Sequence, residues 1–400
     1  MIGLMENILK AVKAEEMHII QMRRDLHRIP ELQLCLPKTV RYVCGVLDSL
    51  KIPYDITVNG NAVAARIDGY APGKCIAVRA DMDGLPIKEN TGLSFASEHE
   101  GCMHACGHDG HTAIALGLCA VLKKIRDSFK GSVKVLFQPG EEYPGGALPM
   151  IEEGALKNPA VSAVIGLHAG CLFPALAKGK IGVSYGTMFA SMDRFALYIR
   201  GKGAHAALPH LSADPIPAAC EIVSALQKII SREIAPTSNA LISVCQIHAG
   251  TSQNIIPDEV FLEGTVRTTS ETVRSFIAQR VKEIAEGIAK AHRAECETVY
   301  DFKYPVLTND REFTKFFVTN TKELLGEDSV EEITVPTMGG EDMAYFLQKV
   351  PGTFFMLSNP VVRPDGMVYP HHTDKFDIDE ALLYKGAAAI LATVLAYLKN

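Results

Sequence analysis

The stretch CGHDGH, residues 106–111, places a thiol, two imidazoles and a carboxylate within six positions. It stands where the local structure changes, because Asp109 begins a predicted helix that continues to about Ile125. A metal site or a redox site is the usual reason for such a mixture of side chains. Cys106 has no second cysteine at C-x-x-C spacing. A metal site is therefore favoured, and a redox-active Cys106 is the weaker alternative.

Candidate metal ligands continue downstream of this stretch. Glu141 and Glu142 follow an apolar run, His168 ends another, and His371 and His372 lie near the C-terminus. Taken alone, a Glu-Glu pair is commonly a solvated acidic turn, and a lone histidine in an apolar run is as often a hydrogen-bonded core residue. Together with the upstream thiol and imidazole, these side chains form the soft and borderline ligand set that suits zinc or manganese.

Apolar runs and amphipathic segments alternate along the chain. Strands are predicted at residues 63–67, 75–79, 132–137 and 161–167, and helices at 4–29, 109–125 and 379–398. This alternation predicts an α/β core with a largely parallel sheet flanked by helices. Acidic residues or a histidine follow three of these strands. Because ligands bind beyond the carboxyl ends of strands in open α/β sheets, we expect these polar side chains to meet at one edge.

Three polar residues near this edge are expected to support the ligands instead of binding metal. Asp81 and Asp83 follow the strand at 75–79, and their carboxylates can orient ligand histidines. His111 lies one helical turn beyond His108, so it can line the same site. A structural or supporting role is the favoured interpretation of His111.

A different pattern occupies residues 187–299, where the order is strand, helix, two strands and a long helix. It predicts a small α/β sandwich inserted between two segments of a catalytic domain, residues 1–186 and 300–400. The insertion carries its own polar candidates: His205 in a Gly/Ala-rich loop, Asn254 before a strand, and Arg267 at the end of a strand. An arginine suits bidentate carboxylate binding. Taken alone, such residues are commonly surface or turn residues.

Composition excludes several classes of protein. The 400 residues, 48% hydrophobic and 22% charged, are typical of a soluble two-domain enzyme. A net charge of −6 gives no reason to expect nucleic acid or an anionic membrane as a partner. No apolar run is expected to reach the roughly 20 residues of a membrane span. Ten scattered cysteines and an N-terminus without signal-peptide features predict a cytoplasmic protein without a disulfide framework.

Ordered motifs extend over nearly the whole chain. They are RRDLHRIPEL, RADMDGLPI, MHACGHDGHTA, QPGEE, GLHA, HAALPH, NIIPD, GGEDMAYF and HHTDKF. Through them the chain resembles the peptidase M20 superfamily of metallohydrolases, and specifically its amidohydrolase branch, subfamily D. That branch includes hippurate hydrolase, N-acyl-amino-acid amidohydrolases, N-acetyldiaminopimelate deacetylase and plant auxin-conjugate hydrolases.

The resemblance implies a zinc-exopeptidase-like catalytic domain, an inserted lid or dimerisation domain, and two divalent metal ions per chain (zinc, manganese, cobalt or nickel). Cys106 or a carboxylate is expected to bridge the two ions. The ligands implied by the matched positions are Cys106, His108, Glu142, His168 and His372.

The resemblance also implies roles in catalysis and assembly. Glu141 matches the general base, and His205 matches a lid histidine that enters an active site, often that of a partner subunit. Asn254 and Arg267 match lid residues that hold the substrate carboxylate. A small N-acyl amino acid is the implied substrate, and a homodimer or homotetramer formed through the lid domain is the implied assembly.

The chain departs from the usual family pattern at a few positions. Gly140 and Ala204 replace a usual alanine and a usual glycine, and His371 stands where an apolar residue is usual. The register of the last motif favours His372 as the ligand. The sequence predicts a metal-dependent amidohydrolase that cleaves N-acyl amino acids. A dipeptidase or aminopeptidase on the same scaffold, and a metal-binding homologue without activity, remain the alternatives.

Overall fold

The structure is a computed structural model that describes residues 2–363 and 365–399. The predicted domain ends at residues 1 and 400 lie outside the described residues. Within these residues the α-helices are α1 (Ile2–Ala14), α2 (Glu16–His27), α3 (Pro37–Ser49), α4 (His108–Lys124), α5 (Ala147–Glu152), α6 (Pro215–Lys228), α7 (Glu271–Ala291), α8 (Arg311–Leu325), α9 (Ala344–Leu347) and α10 (Leu383–Lys399). The strands are β1 (Tyr54–Thr57), β2 (Ala62–Asp68), β3 (Cys75–Asp81), β4 (Ser132–Gln138), β5 (Ala163–Gly170), β6 (Ile181–Val183), β7 (Thr187–Phe189), β8 (Ser191–Arg200), β9 (Ala204–His205), β10 (Ala240–Ala249), β11 (Ile255–Ile256), β12 (Glu259–Thr268), β13 (Glu295–Phe302), β14 (Leu307–Thr308), β15 (Val330–Glu332) and β16 (Gly352–Ser358).

Two units divide the chain. The first comprises the chain up to Gly186, residues Thr308–Val335, and the chain from Asp342 onward. The second comprises Thr187–Leu307 and Pro336–Glu341. Its main segment runs past the predicted boundary at residue 299, because β13 continues to pair with β8 across that position.

The first unit contains an eight-stranded sheet in the order β1-β2-β4-β3-β5-β16-β6-β15. Its central strands β4, β3, β5 and β16 are parallel neighbours. All seven residues of β3 and of β4 are buried, as are all eight of β5. Burial on both faces accounts for their continuous apolar runs. The predicted fold class, an α/β core with a mostly parallel sheet flanked by helices, is confirmed.

Two predictions for this unit need correction, one about a helix and one about the length of apolar runs. The helix expected over residues 4–29 is broken into α1 and α2 at Glu15, whose buried carboxylate pairs with Lys124 of α4. The expectation that no apolar run reaches the length of a membrane span is wrong for Glu380–Lys399, which has a hydropathy of 1.7. Most of that segment, 61% of its most apolar window, is buried within the protein. Its Ile390 and Val394 belong to the hydrophobic core of the first unit, which explains its apolar character.

The second unit is a two-layer α/β structure. Its four-stranded antiparallel sheet has the order β10-β12-β8-β13. Helices α6 and α7 cover one face of this sheet. Residues that share this core include Phe195 and Leu262 from the sheet, Ile222 from α6, and Ile277 and Val281 from α7.

A buried ion network ties α2 to the start of α4 in the first unit. The Arg23 side chain is fully buried, and its guanidinium lies 2.8 Å from Asp109, 3.0 Å from Asp377 and 3.2 Å from Glu380. His27 approaches the same Asp109 carboxylate at 2.7 Å. Burial alone would raise the pKa of Asp109, but Arg23 outweighs it and holds that pKa well below its ordinary value. The network therefore holds the ionised carboxylate of Asp109 in place, directly after His108 at the start of α4.

We expect Arg23→Met to lower the free energy of unfolding of the metal-free protein by about 3–5 kcal/mol, because it leaves buried carboxylates without their cation. Arg24→Met is the matched control. Arg24 lies on the same helix and pairs with Glu380, but its side chain is 41% exposed. That change should cost under about 1 kcal/mol. Chemical denaturation of both variants measures the difference, and equal losses would contradict the role given to burial.

Candidate metal centre

The parallel strands of the first unit carry polar residues to one edge of the sheet. Asp81 ends β3 and Asp83 follows it, while His168 lies near the end of the adjacent β5. The loop after β4 carries Glu141 and Glu142. The arrangement expected from the strand order is therefore present, because open α/β sheets bind ligands beyond the carboxyl ends of their strands.

Several overlapping sets of potential ligands converge at this edge, and two of them consist of predicted ligands alone. Ligand atoms of Cys106, His108 and His168 lie within 4.8 Å of one another. Those of Cys106, Glu142 and His372 do so as well. The structure thus brings all five predicted metal ligands together, and Cys106 belongs to both sets.

His108 presents an unsatisfied nitrogen to this cluster. Its Nδ1 lies 2.9 Å from the backbone carbonyl of Asp83 and 3.2 Å from that residue's carboxylate, so Nδ1 carries the proton and donates it. Its Nε2 is buried and has no hydrogen-bond partner among the described residues. Burial opposes protonation, but the carboxylates of Asp81, Asp83 and Glu142 outweigh it and raise the pKa of His108 to about 10. A cation in front of Nε2 would take the place of that proton.

His168 is oriented in the same way. Its Nδ1 donates to the backbone carbonyl of Ala169 at 2.8 Å, and its Nε2 lies 3.3 Å from Sγ of Cys106. Burial and the carboxylates of Glu142 and Glu141 raise the pKa of the Cys106 thiol well above its ordinary value. A divalent cation would have the opposite effect and lower the pKa of the thiol, because a thiol that coordinates a metal is deprotonated. The Cys106 thiol and Nε2 of His168 therefore favour a metal ion between the two side chains.

His111 has no nitrogen left for a metal. Its Nδ1 donates to the carboxylate of Asp81 at 2.6 Å, and its Nε2 accepts the Ala169 N–H at 2.8 Å. The other oxygen of Asp81 accepts a hydrogen bond from Arg79 at 2.6 Å. Both residues hold neighbouring elements in place, as the supporting role predicted for them requires.

Asp83 organises the loop that carries the two glutamates. One carboxylate oxygen accepts the Glu141 N–H at 3.0 Å, and the other accepts the Glu142 N–H at 3.1 Å. Because the same carboxylate contacts Nδ1 of His108, it links the loop after β4 to the start of α4. Asp83 thus sets the direction of three side chains of the cluster.

Asp342 is a supporting residue that the sequence alone did not single out. Its carboxylate accepts the N–H groups of Gly146 and Ala147, each at 3.0 Å, and hydrogen bonds from Gln138 and Arg79. It therefore anchors the far end of the loop that carries the glutamates. The motif GGEDMAYF contained the signal, but a lone aspartate gives no indication of which backbone groups it will meet.

His372 reaches the cluster through an uncommon backbone conformation. Its φ is 62°, in the left-handed region, where residues other than glycine are strained and often functional. The His372 N–H donates to the carbonyl of Ala105 at 2.9 Å, which holds this turn. Its Nε2 lies 3.0 Å from Oε1 of Glu142, but that oxygen makes no hydrogen bond within the described residues. An imidazole nitrogen and a carboxylate oxygen are both metal-ligand atoms, and at this distance the two can bind the same cation.

The remaining predicted residues lie in the second unit. The β9–β11 pairing sets His205 opposite Ile255, next to Asn254, and both His205 and Asn254 are exposed. Arg267 lies on β12 and is half-buried, and it donates a hydrogen bond to the carbonyl of Met338 at 3.2 Å. The structure therefore brings His205 and Asn254 together and holds Arg267 on a separate strand.

Comparison with known proteins agrees with this centre. Residues 77–396 match the family described as Peptidase family M20/M25/M40. The chain belongs to this family. The family resemblance predicted from the motifs is confirmed, and with it the class of enzyme, a hydrolase acting on amide bonds.

Individual relatives cover almost the full length of this M20 chain. It is 40% identical to N-acetylcysteine deacetylase of Bacillus subtilis over 374 residues, which is 93% of this chain and 95% of the relative. It is 38% identical to thermostable carboxypeptidase 1 of Saccharolobus solfataricus, over 96% of this chain and 97% of the relative. The crystal structure of the Bacillus subtilis YXEP protein, described as a dinuclear metal binding peptidase from the M20 family, aligns with a TM-score of 0.82 and 36% identity, over 97% and 99% of the two chains.

The chemistry of the clustered residues indicates a metal centre independently of the family comparison. The cluster offers a sulfur, imidazole nitrogens and carboxylate oxygens, which is the donor mixture of transition-metal sites. The Nε2 atom of His108 is buried without a partner within the part of the chain that the structure describes. A buried polar nitrogen of this kind is costly unless a ligand occupies the position in front of it.

We expect Asp83→Asn to weaken metal binding by about 10- to 100-fold, although Asp83 is not expected to touch the metal, because it orients His108 and both glutamates. Competition with a coloured chelator measures this affinity. Asp68→Asn, at a carboxylate that is 48% exposed on β2, is the control and should leave affinity unchanged. Equal affinity in both variants would show that the loop holds its shape without Asp83.

Proposed function

We propose that this protein hydrolyses the amide bond of N-acyl amino acids and releases a carboxylic acid and a free amino acid. The observation that carries the proposal is the convergence of two potential ligand sets that share Cys106 beside the buried carboxylate of Glu141. Membership of the M20 family and the likeness to a named deacetylase support the reaction class.

Two divalent ions are proposed to bind through these sets. Cys106, His108 and His168 would serve one ion, and Cys106, Glu142 and His372 the other. Such ions, when bound, polarise a carbonyl group and lower the pKa of a water molecule. The likeness to a protein described as dinuclear supports the number of ions.

Glu141 is proposed to be the general base, and Glu142 a ligand. Glu142 shares a set with Cys106 and His372, whereas the sets that include Glu141 contain no cysteine: one is formed with His108 and Glu142, the other with Glu341 and Asp342. Oε2 of Glu141 lies 3.9 Å from Nε2 of His108, so this carboxylate lies next to the proposed ligands. A buried carboxylate in this position takes the proton of the attacking water and returns it to the leaving amine.

Glu141→Gln should lower kcat by at least about 10²-fold, which is the usual scale of general acid–base catalysis. The amide is nearly isosteric but accepts no proton. Elemental analysis of the variant should still find two ions per chain, because no proposed ligand is altered. Turnover near the wild-type level would mean that another group handles the proton.

His205 is proposed to stabilise the oxyanion that develops during hydrolysis. Its Nδ1 accepts the Ala207 N–H at 3.0 Å, so the ring proton resides on Nε2. The exposed ring therefore offers a donor, which is the group that a developing oxyanion requires. The backbone carbonyl of Asn254 accepts the Ala206 N–H at 3.0 Å and keeps Asn254 beside His205.

Arg267 is proposed to bind the carboxylate of the amino-acid half of the substrate, together with Asn254. No ion pair links Arg267 to another residue within the described chain, and its one described hydrogen bond goes to a backbone carbonyl. Burial lowers the pKa of its guanidinium, which indicates that the charge lacks full compensation. A substrate carboxylate would supply that compensation through charge-assisted hydrogen bonds.

Arg267→Ala should lower kcat/KM by about 10- to 150-fold, since charge-assisted hydrogen bonds contribute about 1.5–3 kcal/mol. The loss should be restricted to substrates with a free carboxylate. Substrates whose carboxylate is amidated lack the recognised charge, and the variant should treat them almost as the wild type does. An equal loss on acids and amides would show that Arg267 is structural.

Cleavage of dipeptides is the second candidate function, because the chain also resembles a named carboxypeptidase at 38% identity. A panel of N-acetyl, N-benzoyl and longer N-acyl amino acids, compared with dipeptides, separates the two with metal-replete enzyme. The proposal expects higher kcat/KM on N-acyl amino acids. A preference for dipeptides would assign the protein to the peptidases of the family.

A homodimer formed through the second unit is proposed as the assembly. Strand β10 is an edge of its sheet, and its second half, including Ile247 and His248, is exposed. An exposed strand edge is a ready surface for pairing with a second copy. Sedimentation velocity at several protein concentrations tests the assembly.

All ten cysteines are free, which suits a reducing compartment, so a cytoplasmic location is proposed.

A further inference from the structure

His371 lies directly beside the proposed ligands, but its ring directs a different group at them than the rings of His108 and His168 do. Its Nδ1 lies 3.6 Å from Sγ of Cys106. Its Nε2 accepts the backbone N–H of Cys171 at 2.9 Å. An imidazole nitrogen that accepts a hydrogen bond carries no proton, so the ring proton of a neutral His371 is on Nδ1. His371 therefore directs an N–H group, not a lone pair, at the sulfur.

The ring of His371 is held in this orientation from several sides. Its centroid lies 4.4 Å from that of Phe376 and 5.2 Å from that of His168. Gly170 leaves the space that the ring occupies, since a Cβ at position 170 would lie 2.3 Å from Nε2. The backbone donor at Cys171 then fixes the rotation of the ring. These contacts fix the direction of the N–H, which points toward Cys106.

We propose that His371 is a positioning residue that donates an N–H···S hydrogen bond to the thiolate of Cys106 when that thiolate binds metal. The inference rests on the ligand role proposed above for Cys106. A hydrogen bond to a ligating sulfur withdraws electron density from it and tunes the metal that it binds. His371 thus acts on the metal through Cys106 without itself being a ligand. The apolar residue that is usual at this position has no such donor.

Two substitutions separate the functions of the two ring nitrogens. Asn at position 371 places its amide N–H₂ near the position of Nδ1, so it retains a donor for the sulfur and loses the acceptor for Cys171. Gln at 371 places its amide oxygen near the position of Nε2, so it retains the acceptor for Cys171 and loses the donor. His371→Phe keeps the packing on Phe376 and removes both functions.

The cobalt-substituted protein gives a readout other than activity, because a thiolate bound to Co²⁺ produces a charge-transfer absorption band. Removing a hydrogen bond to the sulfur raises the energy of its lone pairs and moves this band to longer wavelength. We expect His371→Gln and His371→Phe to show that shift, and His371→Asn to retain the wild-type band. Each variant should still bind two Co²⁺ ions per chain in a titration.

The outcomes distinguish this inference from the proposed function. An unshifted band in both His371→Gln and His371→Phe, or the same shift in His371→Asn, would overturn the N–H···S bond. Loss of one Co²⁺ ion in the variants would make His371 a ligand and overturn the inference in a different way. Absence of any thiolate band in the wild type would instead reject Cys106 as a ligand, and the ligand set proposed above with it.

Discussion

Hydrogen bonds between histidine rings and the backbone decide which ring nitrogens of this centre are available to an ion. Nδ1 of His108 and Nδ1 of His168 each face a backbone carbonyl, which holds the proton on Nδ1 and leaves Nε2 as a lone pair directed at the cluster. Nε2 of His111 and Nε2 of His371 each face a backbone N–H and are used in accepting it. The identity of the backbone group behind each ring thus separates ligand from support. Outer partners of this kind set both the tautomer and the orientation of metal-binding histidines.

The electrostatics of the centre follow from this arrangement. Without an ion, the buried carboxylates favour a proton on His108, whose pKa is raised to about 10, and burial with the same carboxylates favours the protonated thiol of Cys106. A divalent ion held by these two groups would replace two protons and leave the local charge unchanged. Metal binding would then release protons and weaken as pH falls through the range in which the ligands must lose them. The same ion would stabilise the surrounding carboxylates, which are costly to bury alone.

Residue types and their order along the chain predicted the ligand candidates and the strands that deliver them, because thiol, imidazole and carboxylate groups at strand ends carry a chemical signal. The tautomers of His111 and His371 could not be predicted, since each depends on a backbone N–H that approaches from another part of the chain. The break at Glu15 was also missed, and the contact that Glu15 makes there is with Lys124, a distant residue on α4. Local periodicity carries no information about such contacts. The left-handed turn at His372 is likewise set by a contact with Ala105 that lies far away in sequence.

The two units have separate hydrophobic cores, so the metal ligands of one and the proposed carboxylate-binding residues of the other are held by independent packing. Chemistry and recognition can then change separately, as is common where one fold hosts several functions. Relatives named for deacetylation and for carboxypeptidase activity share this fold and much of this sequence. Both names are consistent with release of an amino acid with a free carboxylate, the group that Arg267 is proposed to bind. If Arg267 has that role, the choice between such substrates falls to residues that contact the acyl side of the cleaved bond.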